Sequence, residues 1–414
     1  MKTYKPKKAN AFIPIQACWG PYGNKQAYQE YAEAGFNWVY LDTDNGPNPR
    51  TNQKDLLQWC DELGLGAIVI SFYRPLDESE ICYGDYACFA GVTFGDEPIF
   101  DQVEEITASA LDFEKRYPGK ISYLNLAPTY WHPELFAKFH SDRGMQREYL
   151  RIYSDEFLDK LSGVKIFSMD YYPLLETEDG GKRLTKDWLL QLETCALICR
   201  QKKYDFHFYL QTAGGWDSDF SLYGGRSVPP QCVEDLRMQV SVCFAYGVKG
   251  FHYFTYRPMP GCRYGTLSDI NGKTAMWEFA KQVNAEIKKF APVILSFDWL
   301  RTGLYNGTNF HSVEAEDAFR QVEMNDKRFY KLKDVSPSND LVVGEYIDEK
   351  GSYGYMMASY TLDETSVNRV SFRAHGSVIA YRNGEAEELV EKDGQYTVEL
   401  AMGDGLFVIV EEDN

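Results

Sequence analysis

Two adjacent carboxylates, Asp96 and Glu97, close the run Phe89-Ala-Gly-Val-Thr-Phe-Gly-Asp-Glu-Pro98. The run opens as short apolar β-type sequence and ends abruptly in charge and a proline. Carboxyl groups brought together in one site do general acid–base work, one giving a proton while another supports the reacting centre. Asp170 has the same character, standing in Ser168-Met-Asp-Tyr-Tyr-Pro173 after a second apolar run. Other polar and aromatic residues end comparable runs: Asp42, Asn125, Tyr171, Tyr172, Gln211, Trp216 and Tyr256, with Trp19, Tyr73 and Arg257 at similar places. Carboxylates, amides and aromatic rings suit a neutral polyhydroxyl ligand, whose C–H faces stack on rings. Plainer roles stay open on spacing alone. Asp42 fits an Asx turn before Gly46-Pro47, Glu97 fits a cap for the helical stretch that follows, and the rings fit a core.

The elements that must position these groups repeat regularly. Strand-like runs fall at 12–18, 37–41, 67–72, 90–94, 121–126, 165–169, 207–211 and 250–255, with amphipathic stretches at 25–34, 53–63, 100–117, 147–161, 185–201, 232–246 and 274–290. Strands alternating with helices imply parallel β/α units. Eight of them in about 290 residues imply a closed (β/α)8 TIM barrel, whose catalytic groups gather at the C-terminal ends of the strands. From 341 onward short alternating runs are separated by Gly, Asn and Asp turns with no helix between them, which predicts an antiparallel β-sandwich. The expected division is a barrel over 1–335 and a sandwich over 336–414, with 292–340 bridging the two.

Composition excludes several classes. The chain has 414 residues, 44% hydrophobic and 25% charged, as ordinary globular chains do. Its net charge of −18 argues against nucleic acid and anionic lipid as partners. No run approaches a membrane span, and no apolar signal core follows the basic N-terminus, so a cytoplasmic protein is expected, or an exported one had a leader been removed. Nine scattered cysteines fit reduced structural thiols. No cofactor or metal is expected. A dinucleotide fingerprint is missing after the first strand, clustered histidines for a barrel metallohydrolase are missing, and no lysine lies inside a strand to form a Schiff base.

With these residues in view, the chain resembles the clan-A barrel glycoside hydrolases, and among them β-galactosidase-like enzymes. Gly95-Asp-Glu-Pro98 stands after the fourth strand, where such families place the general acid; 239–256 is similar to their helix-to-last-strand passage; Asp269 to Phe290 and the terminal β-unit complete the likeness. The resemblance implies a carbohydrate substrate and Glu97 as general acid/base, with Asp170 or Asp96 as the second carboxylate. Two positions depart from that pattern. Asp96-Glu97 replaces the usual Asn-Glu, and Leu210-Gln-Thr212 carries no nucleophilic Glu after the seventh strand. An adjacent Asp-Glu pair resembles instead the hexosaminidase-type barrels, in which the substrate's 2-acetamido oxygen attacks, Asp orients it and Glu is the acid/base. A non-catalytic sugar-binding barrel is the competing class, and a metal-dependent sugar lyase or isomerase is a third.

Overall fold

The computed structural model describes residues 3–6, 11–41, 52–128, 146–214, 226–258 and 264–411. Each of the eight apolar runs forms a strand: β1 Ile15–Ala17, β2 Trp38–Leu41, β3 Gly66–Ile70, β4 Phe89–Asp96, β5 Ile121–Leu126, β6 Ile166–Asp170, β7 Asp205–Gln211 and β8 Gly250–Phe254. They pair in parallel in the order β1-β8-β7-β6-β5-β4-β3-β2. Helices alternate with them: α1 Lys25–Glu33, α2 Gln53–Leu63, α3 Val103–Arg116, α4 Gln146–Glu156, α5 Trp188–Lys202, α6 Val233–Ala245 and α7 Ala275–Ile294. Side-chain caps start two of them, since Asn24 accepts from Ala27 N and Asn52 from Lys54 N. The architecture is the expected (β/α)8 barrel followed by antiparallel sheets.

The seam between β1 and β2 is closed mostly by side chains. Asn37 N donates to Ile15 O at 3.0 Å, Asn37 Oδ1 accepts from Ile15 N at 2.7 Å, and Asn37 Nδ2 donates to Ile13 O at 2.8 Å. One turn on, the Tyr31 hydroxyl accepts from Ala17 N and donates to Trp38 O, both at 2.8 Å. These bonds satisfy backbone groups that a regular ladder would otherwise pair. Asn37→Ala is expected to cost about 2 kcal/mol by orphaning an N–H and a C=O, read as a lower urea midpoint with unchanged slope.

Inside the barrel a separate cluster of Trp38, Tyr40, Ile68, Tyr123 and Ile166 fills the lumen. Gly250 makes room in the same layer, because a Cβ there would lie 2.5 Å from the His207 ring.

The terminal unit is two sheets. Six strands run in the order β9 Phe297–Tyr305, β11 Leu341–Asp348, β12 Tyr353–Ser359, β16 Gly405–Glu411, β14 Ser377–Arg382 and the short Glu385–Glu387. The facing four are β10 Leu332–Pro337, β13 Val367–Ala374, β15 Gln395–Ala401 and Glu391–Lys392. Strand β9 lies in the stretch expected to bridge the units, yet it pairs antiparallel with β11 along its whole length. Between sheet and barrel, helix α6 is buried almost all round. Gly344 of β11 approaches it so closely that a Cβ would lie 2.1 Å from Ala245 O. The Tyr346 hydroxyl donates to Phe244 O, and Trp299 Nε1 to Ala245 O at 3.1 Å. No helix among the described residues is long and apolar enough to cross a membrane.

Candidate active site

The C-terminal ends of β4, β5 and β6 converge on one amide. Asn125 Nδ2 donates to Asp170 Oδ1 at 3.1 Å and to Asp96 Oδ1 at 3.3 Å, while Ser168 Oγ holds Asn125 Oδ1 at 2.9 Å. The register of β4 on β5 shifts between Thr93 and Asp96. Such an irregularity re-aims the side chains beyond it, and here those are Asp96 and Glu97. Glu97 takes up a left-handed backbone at φ 45°, with its N–H donating to Asn125 O at 2.9 Å. Trp19 and Tyr73, at the ends of β1 and β3, are left-handed too, at φ 51° and 59°. The Tyr73 hydroxyl donates to Asp96 O and braces the turn. Non-glycine residues persist in this region only where their surroundings over-determine them, and such positions cluster at functional sites.

The carboxyl groups share an electrostatic problem. Asp170 is 4% exposed, and burial first, then the charge of Asp96, pushes it up to about 7 against hydrogen bonds from Tyr172 and Asn125. Glu97 is held well above the ordinary glutamate range by burial, then by the charges of Asp170 and Asp96. Asp96 is also raised by loss of water, opposed by Asn125. Asp96 reaches solvent at the cavity it lines, and Glu97 is half-buried. Like charges this close do not all ionise together, so a proton stays within the cluster near neutrality.

Beside it lies a cavity of about 240 Å³ walled by Trp19, Tyr40, Phe72, Asp96, Asn125 and Tyr209, among others. Tyr172 flanks Asp170 and stacks on Phe254, ring centroids 4.9 Å apart. Asp96, Glu97, Asn125, Asp170 and Tyr172 therefore stand together.

Three other expected ligand residues do not join them. Gln211 is fully buried, and its amide accepts from Leu174 N at 2.6 Å and donates to Ser227 Oγ and Val228 O at 2.8 Å each. It ties two loop segments together where a substrate contact was expected. Tyr171 turns away from the mouth and donates to Asp187. Tyr256 packs in the core against Tyr31, centroids 4.9 Å apart. Asp42 and Trp216 lie outside the described residues. The sequence reading passed over Tyr40 and Tyr209; their one signal is strand parity, Tyr209 sharing a face with His207 and Gln211. Gln211→Leu is expected to cost about 3 kcal/mol by stranding buried backbone groups, checked as a lower denaturant midpoint.

No family model matches the chain, and no curated protein matches it in sequence. The solved structures it is similar to include glycoside hydrolases. One is a GH30 endoxylanase from Clostridium papyrosolvens, 12% identical over 98% of this chain and 97% of that one, with a TM-score of 0.42. Another is a GH27 β-L-arabinopyranosidase from Geobacillus stearothermophilus, 12% identical over 98% of both chains, TM-score 0.44. A third is an Anoxybacillus α-amylase, 10% identical over 97% of this chain and 98% of that one, TM-score 0.48.

Proposed function

We propose that the chain is a glycoside hydrolase cleaving O-glycosidic bonds, with Glu97 as general acid/base. The observation that carries this is the gathering of Asp96 and Asp170 on the Asn125 amide, with Glu97 raised by the charges of both, beside an aromatic-walled cavity. A proton held between two acids gives a donor still charged with it near neutral pH, which protonation of a leaving oxygen requires. Asp170 serves Glu97 in this reading. Asn125 Nδ2 holds Asp170 and Asp96 at one point, and the charge of Asp170 raises Glu97. Asp96, lining the cavity and tied to Asn125, is the second working carboxylate.

A narrower reading is favoured by the adjacent Asp96-Glu97 pair together with the commitment of Gln211 to backbone groups. With no carboxylate ending β7, a 2-acetamido sugar would supply its own nucleophile. Its carbonyl oxygen attacks the anomeric carbon, Asp96 accepts from the acetamido N–H, and Glu97 protonates the departing oxygen. The test is a panel of aryl glycosides with and without a 2-acetamido group. Cleavage confined to the acetamido sugars and blocked by a thiazoline supports substrate assistance. Cleavage of plain glycosides supports water activated at Asp96. Tight sugar binding without turnover on any member supports a binding barrel and overturns the hydrolase.

A further inference from the structure

We infer that Tyr40 determines specificity, its hydroxyl, paired with that of Tyr209 at the cavity end of the barrel lumen, bonding an oxygen of the bound sugar ring. The inference rests on the glycosidase reading and names a contact of that same cavity.

A buried hydrogen-bond chain begins at the far end of the lumen. His207 Nδ1 lies 3.0 Å from His252 Nε2, and His252 Nδ1 lies 2.5 Å from Gln16 Nε2. Gln16 Nε2 also donates to the Tyr123 hydroxyl at 2.7 Å. The Tyr123 ring stacks on that of Tyr40, centroids 6.3 Å apart, and the Tyr209 hydroxyl meets the Tyr40 hydroxyl at 2.9 Å. Tyr40 and Tyr209 both wall the cavity.

Donor and acceptor roles along this chain follow from counting protons. The two amide protons of Gln16 go to His252 Nδ1 and to the Tyr123 oxygen. His252 therefore carries its proton on Nε2 and donates it to His207 Nδ1; burial keeps both rings neutral, lowering His207 to about 3 and His252 well below its ordinary value. The Tyr40 and Tyr209 hydroxyls share one hydrogen bond, so the pair keeps one proton beyond it. Both residues wall the cavity, and among the described residues Tyr40 has no hydroxyl partner besides Tyr209. The opposite amide orientation at Gln16 would leave two N–H donors without partners. The observed one leaves only Gln16 Oε1 so, the smaller cost. Hydroxyls bonded to one another in a low-dielectric interior polarise each other, so the remaining proton of the pair is a strengthened donor. A neutral sugar offers it a hydroxyl or ring oxygen.

The test compares the parent glycoside with its single-deoxy analogues. Wild type is expected to discriminate against one analogue by about tenfold or more, as loss of one buried hydrogen bond predicts. Tyr40→Phe is expected to lose that factor on the parent and nothing further on that analogue. Tyr209→Phe, which removes the hydroxyl partner of Tyr40, is expected to narrow the same discrimination and covers the case in which Tyr40→Phe misfolds. Equal losses by Tyr40→Phe on the parent and on every analogue, or wild-type rates throughout, overturn the inference. Turnover that needs Glu97 but shows no coupling to Tyr40 removes this contact alone. Turnover that survives Glu97→Gln on poor leaving groups, or no turnover, removes the hydrolase reading with it.

Discussion

Replacing Glu97 by Gln lowers kcat/KM by about 10³–10⁴ on glycosides with poor leaving groups and by about tenfold or less on those whose phenol is already acidic. The difference between the two classes is the diagnostic part. A general acid is needed in proportion to the basicity of the departing oxygen, so an amide in its place costs little where the phenolate leaves unaided. A residue that only binds the sugar would lose the same factor on both. Gln has the shape of Glu and is neutral, as Glu97 is when protonated beside Asp170. The fold therefore has no new charge to accommodate, and the left-handed backbone at φ 45° is occupied by a residue of equal branching. A steep dependence of the ratio on leaving-group acidity supports Glu97 as the proton donor. A flat one removes it from that role.

The barrel is legible in sequence because parallel strands are buried on both faces and read as continuous apolar runs. The strand-end rule then points to Asp96, Glu97, Asn125 and Asp170 without coordinates. Other assignments depended on contacts that spacing does not carry. Tyr171 and Tyr172 are neighbours just past β6, and a single residue of difference sends one to Asp187 and the other to Asp170. Gln211 has the right parity at the end of β7, but Leu174 and Val228 fold onto it from 37 and 17 residues away. Tyrosines within strands read as core, and strand parity alone does not tell that the Tyr40 and Tyr209 hydroxyls meet. Strand β9 mixes Asp298 and Arg301 with apolar residues and reads as a connector, although its partner β11 follows a helix and another strand.

Asp170→Asn is expected to raise stability at pH 8 and leave it nearly unchanged at pH 4, and to move the alkaline limb of the kcat/KM profile towards lower pH. In the folded protein Asp170 binds its proton up to about 7, against an ordinary 3.8. Between those values the folded state holds more protons than the unfolded one, so stability falls as pH rises through that window. The full difference is at most about 4 kcal/mol well above pH 7, and sharing of the proton with Glu97 brings the expected gain to about 1–3 kcal/mol. Asparagine cannot ionise, so this loss disappears, while its side-chain oxygen still accepts from Asn125 Nδ2. The same substitution removes the nearest negative charge from Glu97, whose carboxyl then deprotonates at lower pH. Activity at pH 5–6 is expected to fall by about tenfold or less, and more steeply above neutrality, because the acid is lost there first. Were Asp170 the nucleophile instead, the variant would lose about 10³-fold or more at every pH, with no shift of the limb. Thermal melts and pH–rate profiles on one preparation separate the two outcomes: a gain in melting temperature at pH 8 together with a displaced limb assigns Asp170 to the support of Glu97.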